Sequence, residues 1–246
     1  MENEALLTNR LAELASRAGS RGRWVFSEFL TLAQQDLLWR LRLDCPFELF
    51  GGLASSERKI ACFGSEDLCG YVEPPPVVCL RLEPVMQKFA DSLSHRDFLG
   101  ALMSLGVRRE VLGDIEIVDN VGYLFCLESI APFIEQNLTS VRHTTVRVAP
   151  SAPPEKLSAP PPVTELVVAS ERLDAAVAAV FRLSRSQAQE LIDGEQVFIS
   201  GRLARASAGL SAGDIISVRH YGRFIYEGIS RETKKGRLRV AVRVYK

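Results

Sequence analysis

Residues 149–163, APSAPPEKLSAPPPV, hold six of the twelve prolines in a chain of 246 residues. Each proline fixes its own φ, lacks an amide hydrogen and biases the residue before it toward extended backbone. Neither a helix interior nor a central strand can therefore run through this stretch. A chain of this length has room for more than one core. The stretch predicts a semi-rigid, polyproline-like linker over residues 150–163 with separately folded parts on either side. A second break, at Glu73–Pro76, divides the front part, giving expected domains at 1–73, 74–149 and 164–246.

Charge follows the same division. The formal net charge is zero, but residues 1–163 hold 16 Lys and Arg against 21 Asp and Glu, while residues 164–246 hold 14 against 9. The back part is thus +5 and the front −5, and a basic block at one end points to a polyanionic partner. The five cysteines are odd in number and never spaced C-x-x-C. Disulfide frameworks and zinc sites need regular spacing, so these are expected to be reduced, mostly buried thiols, with no metal and no cofactor. The first ten residues are acidic and lack the apolar core of a signal peptide. No apolar run reaches the roughly 20 residues needed to cross a bilayer. A cytoplasmic location and no membrane partner are the expectation.

Periodicity predicts an α+β chain in three parts. In residues 1–73, Leu7, Leu11 and Leu14 share a helical face, and Phe26, Phe29, Leu30, Leu37 and Leu38 suggest a second helix. A strand is expected around ERKIACFG, so this is an N-terminal helical segment with little sheet. Residues 74–149 read as strand (VVCLRLEP), helix capped by Ser94, two strands around Asp119–Asn120, helix (SIAPFIEQNL) and strand (TTVRVA). This βαββαβ order is that of a ferredoxin-like sandwich, the architecture of RRM-type RNA binders, although the aromatic RNP pattern of those binders is absent. Residues 164–246 read as two helices followed by strands. Ser184 and Gln187 have capping-box spacing, Gly194 suits a left-handed helix end, and a hairpin turn is expected at Lys235–Gly236.

No nucleophile, base and orienting group come together in this last part. What clusters instead is arginine: Arg172, Arg182 and Arg185 around the helix corner, Arg202 and Arg205 at the next turn, and Arg223, Lys234, Lys235 and Arg237 in the final strands. Arginine on a rigid element makes bidentate contacts with phosphate, and a helix N-terminus adds partial positive charge. With the capping residues Ser184 and Gln187, these form the expected RNA-binding set. A solvated basic face with Arg185 paired to Glu190 or Asp193 is the alternative. A second RNA surface is expected from His95, Arg96, Arg108 and Arg109 at the two ends of the helix after Ser94. The alternative there is ordinary helix-end electrostatics.

The stretch from Arg172 to Arg219, with Arg172-Leu173-Asp174, Ser184-Arg185, Ile192…Gly194…Val197 and Gly213-Asp214-x-Ile216, resembles the S-four RNA-binding domain. Ser200 stands where that domain usually has asparagine before its turn glycine, a change expected to matter little. GGLASSERKIACF, LSHRDFLGALMSLGVRREVLGDI and YGRFIYEGISRETKKGRLRV are similar to the bacterial YlmH family, over nearly the whole chain from about residue 45. The resemblance implies a monomeric, non-enzymatic protein binding ribosomal RNA or tRNA on the large ribosomal subunit, in quality control of stalled ribosomes, with no small-molecule substrate. An RNA-modifying enzyme is the competing reading, because the Arg172-Leu173-Asp174 triplet also occurs in pseudouridine synthases. Asp174, however, continues into a helix rather than the Thr/Ser-x-Gly turn that follows the catalytic aspartate there, and no G-x-G-x-x-G loop, HIGH or KMSKS signature is present. A cell-division interaction module is the third reading.

Overall fold

A computed structural model of the chain describes residues 2–205, 208–233 and 236–245. They fall into two compact units, Met1–Ser158 and Ala159–Lys246. Both mix helices with antiparallel sheets.

The first unit opens with α1 (Glu2–Arg21), which buries Leu11, Ala15 and Ala18. The second helix, α2 (Leu32–Arg40), begins later than the apolar spacing suggests. Phe26 belongs instead to strand β1 (Val25–Phe26), which follows α1, and Leu30 bridges to Lys59. The helix start is decided by a capping box. The Thr31 hydroxyl accepts the Gln34 amide, and the Gln34 side chain accepts the Thr31 amide at 2.8 Å. Two orphan donors are thereby satisfied at Thr31 and none at Phe26, and that outweighs the apolar periodicity. With β2 (Phe47–Phe50) and β3 (Ile60–Phe63), β1 makes a sheet in the order β1-β3-β2, so this segment is not only helical.

After a helical turn, α3 (Glu66–Cys69), come β4 (Val77–Pro84), α4 (His95–Ser104), β5 (Leu112–Val118), β6 (Val121–Leu127), α5 (Ala131–Asn137), the short β7 (Ser140–Val141), β8 (Thr144–Pro150) and α6 (Glu155–Ser158). The antiparallel sheet has the order β5-β6-β4-β8-β7. The β5–β6 turn places both Asp119 (φ 52°) and Asn120 (φ 62°) in the left-handed region, as a two-residue hairpin turn requires. One sheet face buries Leu80, Leu82 and Leu124 against Phe98 and Leu102 of α4 and Ile134 of α5. The other face is also covered in part: Phe125, 2% exposed, lies with Leu53 and Cys79, and Leu157 packs on them. Gly52 (φ 95°) crosses so close that a Cβ there would sit 2.2 Å from the Phe125 ring.

The second unit contains β9 (Val163–Val168), α7 (Leu173–Phe181), α8 (Arg185–Asp193), β10 (Val197–Ile199), β11 (Arg202–Leu203), β12 (Asp214–Val218), β13 (Gly222–Glu232) and β14 (Leu238–Val244). Among the described residues its sheet runs β11-β10-β12-β13-β14-β9. Leu173, Val177 and Ile192 of the helices meet Phe224, Tyr226 and Val242 of the sheet in one core. Strand β9 starts directly after Pro162 and pairs with β14 from Val163↔Arg243 to Val168↔Leu238.

Candidate nucleic-acid interface

The Asp174 carboxylate, in the first turn of α7, organises the helix corner. Its side chain is 6% exposed and accepts from Arg172 Nε at 3.0 Å and from Arg185 Nη2 at 2.7 Å. The two arginine side chains remain 56% and 52% exposed. Burial alone would raise the Asp174 pKa. The hydrogen bonds and charges of Arg172 and Arg185 outweigh it and hold the carboxyl below its ordinary value. The result is a fixed, ionised acid that aims two guanidinium groups outward, each with N–H donors left for another acceptor. Arg185 therefore pairs with Asp174, and not with Glu190 or Asp193.

Two helix ends complete the corner. Arg182 closes α7 in the left-handed region (φ 56°), with the Leu183 amide donating back to the Ala178 carbonyl at 2.9 Å. A residue with a Cβ is uncommon there, and Arg182 makes no ion pair among the described residues. Ser184 and Gln187 form the expected capping box: the Ser184 amide donates to Gln187 Oε1 at 2.9 Å, and the Gln187 amide to Ser184 Oγ at 3.1 Å. Both side chains are occupied in starting α8, so they position Arg185. At the other end of α8, Gly194 is not left-handed (φ −81°, ψ 13°). Glu195 is (φ 56°), with its amide on Ile192 O and the Gln196 amide on Leu191 O, the paired bonds of a Schellman motif shifted one residue past the glycine.

The remaining expected contacts lie on other elements. Arg202 and Arg205 are exposed in and just after β11, at the sheet edge. Arg223, in β13, sets its guanidinium 5.0 Å from the Tyr245 ring centroid. Arg237 is exposed beside β14, while Lys234 and Lys235, with half of the expected hairpin turn, lie outside the described residues.

The expected second surface is divided. His95 and Arg96 are the first two residues of α4 and are exposed. Arg108 pairs with Glu28, which also holds Arg10. Arg109 turns inward and donates to the carbonyls of Leu112 (2.7 Å) and Gly113 (3.0 Å). Arg58 lies alongside, donating to the carbonyls of Leu112, Arg109 and Phe29, and Asp114 accepts the amides of Glu57 and Arg58. Burial and then the Arg109 charge lower Arg58 to about 10. His95 is exposed overall, yet partial burial of its ring and then the Arg109 charge hold it below its ordinary value. Arg109 thus caps its own turn into β5 rather than standing as a displayed cation, and Arg58 is the side chain that ties distant segments of the first unit.

The aromatic RNP pattern, expected to be absent, is present in part. Gly122-Tyr123-x-Phe125 on β6 reproduces part of the G-aromatic-x-aromatic core of the RNP pattern. Its signal was the spacing of the two aromatics. Phe125, however, is buried beneath the segment from Gly52 to Leu53.

The second unit thus presents ionically fixed arginines, and the first contains a βαββαβ domain. A model of the family described as "Putative RNA-binding domain in YlmH" matches residues 84–153, most of that domain. The chain is accordingly of the class that carries a YlmH-type RNA-binding domain. Ribosome-associated protein quality control protein P2 of Bacillus subtilis (strain 168) is 29% identical over 227 residues, 89% of this chain and 86% of that protein. The resemblance to the YlmH family is borne out by these two matches. Among solved structures, cell division protein ylmH from Streptococcus pneumoniae aligns with 61% of this chain and 91% of its own at 13% identity, with a TM-score of 0.48. No described helix is long and apolar enough to cross a membrane.

Proposed function

We propose that this chain is a non-enzymatic protein of ribosome-associated quality control that binds structured ribosomal RNA or tRNA on the large subunit, as a monomer and without a cofactor. The second unit acts as an S-four-type RNA-binding domain and residues 74–149 as a ferredoxin-like one. The observation that carries the reading is the Asp174 network. A buried carboxylate that spends its acceptors on two exposed arginines is a device for presenting guanidinium groups in a fixed geometry. The same geometry weighs against an RNA-modifying enzyme using Asp174 as its base, since that carboxylate is enclosed and already engaged by two cations. The Bacillus subtilis relative is named for ribosome-associated quality control, which supports placing the RNA on the ribosome.

Sedimentation of cell lysate through a sucrose gradient tests this. The wild-type protein is expected with large subunits, and an Arg182→Ala/Arg185→Ala variant at the top with its circular dichroism unchanged. Wild-type protein that stays at the top would sink the ribosomal reading.

A further inference from the structure

The described residues offer several unexplained features: an apolar groove between α1 and α2, the basic face of β13 and β14, paired buried thiols, and the edge of the first unit where Phe89 stands out. The last carries an argument furthest. We propose that this edge is a second binding site, which takes an unpaired RNA nucleotide by stacking its base on Phe89 and holding its flanking phosphates with Lys88, Arg96 and Arg142. The proposal rests on the reading of this chain as an RNA-binding protein.

Phe89 is 74% exposed, the most exposed large apolar side chain of the described residues. Nothing in the core of its domain needs it, and Val85 and Met86 beside it are exposed as well. The Lys88 ammonium lies 5.7 Å from its ring centroid, so a cation already accompanies the aromatic face. The segment is anchored at its far end. Asp91 receives the His143 amide and the Thr144 hydroxyl, both at 3.3 Å, and the Asp91 amide donates to Thr144 Oγ1 at 2.9 Å. Phe89 is therefore two residues from a contact with the β7–β8 turn, which carries Arg142.

Arg142 holds a left-handed backbone (φ 53°) in the two-residue turn between Val141 and Thr144, as such hairpin turns require. Arg142 and Arg96 both line a cleft of about 410 Å³, together with Asp97 and the small residues Gly100, Ala101, Ser104 and Ser140. The small residues leave room for a phosphodiester to approach, and the Ser140 hydroxyl can donate to it, while the Ser104 hydroxyl donates to the Ala101 carbonyl at 2.7 Å. Of the two acids nearby, Asp97 lines the cleft and its Oδ1 faces Arg142, so a bound phosphate would exchange with a long ion pair there. Asp97 accepts the amide and hydroxyl of Ser94 and stands 3.8 Å from Arg142, and Asp91 serves the turn. Arg96 has no acidic partner among the described residues. An exposed aromatic interleaved with cations is the composition of a stacking platform for single strands, whereas duplex RNA offers no free base face. The sheet face, where RRM-type binders stack bases, is closed to this use by Gly52 and Leu53 over Phe125. The site thus keeps Arg96 from the expected second surface and moves its remainder to Lys88, Phe89 and Arg142.

The test uses the full chain, a fluorescein-labelled oligouridine of about a dozen nucleotides, and a blunt-ended RNA duplex as a fully paired stem. Phe89→Ala should weaken oligouridine binding about tenfold. Arg96→Gln/Arg142→Gln should weaken it similarly, and Phe89→Trp should retain it, with tryptophan emission quenched on binding. Binding to the paired stem should be unchanged in all three variants and lost in Arg185→Ala. Oligouridine binding that is equal in wild type, Phe89→Ala and Arg96→Gln/Arg142→Gln overturns the edge site, as does wild-type protein that does not bind oligouridine at all. If the paired stem is still held in those cases, the edge site alone falls. If neither RNA is bound, the RNA-binding reading falls with it.

Discussion

Asp174 shows how one buried charge can serve a surface. Removing a carboxylate from water is costly unless hydrogen bonds replace the lost hydration, and here two arginines replace it while staying more than half exposed themselves. Asp174→Asn keeps the shape, removes the charge and turns an amide N–H toward a guanidinium. A loss of about 1–3 kcal/mol in unfolding free energy is expected near neutral pH. The pH dependence has a definite sign. The folded Asp174 pKa is depressed, so its contribution is fully present above the unfolded value of about 3.9 and is lost as pH falls through the lower folded value. Urea titrations of wild type and Asp174→Asn should therefore differ at pH 7 and converge as the pH falls below about 4. A gap that persists at acid pH would show that the side chain matters for packing and not for charge.

At the scale of elements, the left-handed residues carry the next prediction. Ser200 sits at φ 49° ahead of Gly201 (φ 80°) in the turn joining β10 and β11. Local hydrogen bonding does not separate serine from asparagine at such a turn, and the Ser200 hydroxyl accepts the Ile215 amide at a long 3.4 Å. Backbone angle adds a cost that asparagine bears more easily. Ser200→Asn should stabilise the unit by about 0.5–1 kcal/mol, read as a melting temperature raised by about 2–6 °C. An unchanged or lowered midpoint would count against strain at this turn. The same logic explains what could and could not be read from sequence. VVCLRLEP, the Ser94 helix and the Ser184–Gln187 box were legible because alternation and capping act within a few residues. The late start of α2 and the left-handed Glu195 were not, since each depends on which of two adjacent local solutions satisfies more backbone groups. Arg109 was misread for another reason. An arginine bonding carbonyls inside a fold and one displayed to solvent have the same letter, and only long-range neighbours such as Arg58 and Asp114 separate them.

For the whole molecule, the proline-rich stretch matters less as a spacer than as the place where one core ends and another begins. Leu157 of α6 packs with Leu53 and Phe125 of the first unit, whereas the Pro161 carbonyl accepts from Arg243 Nη1 at 2.8 Å and β9 opens at Val163 in the second. Between them lie only Ser158 to Pro160. Among the described residues the second unit's buried core comes entirely from Val168 onward, yet β9 pairs with β14 from Leu238 to Arg243. A sheet edge stripped of its partner exposes a row of unpaired amides and carbonyls and invites association with other chains. A fragment of residues 159–246 should therefore fold cooperatively by circular dichroism and remain monomeric in solution. A fragment of residues 169–246 keeps nearly all of the core and loses β9, so it should melt earlier and self-associate. RNA binding by the longer fragment should weaken steeply with salt, because phosphate contacts release counterions. Equal melting of the two fragments would show that β9 contributes nothing to the second unit, and salt-independent binding would show that its arginines do not meet phosphate.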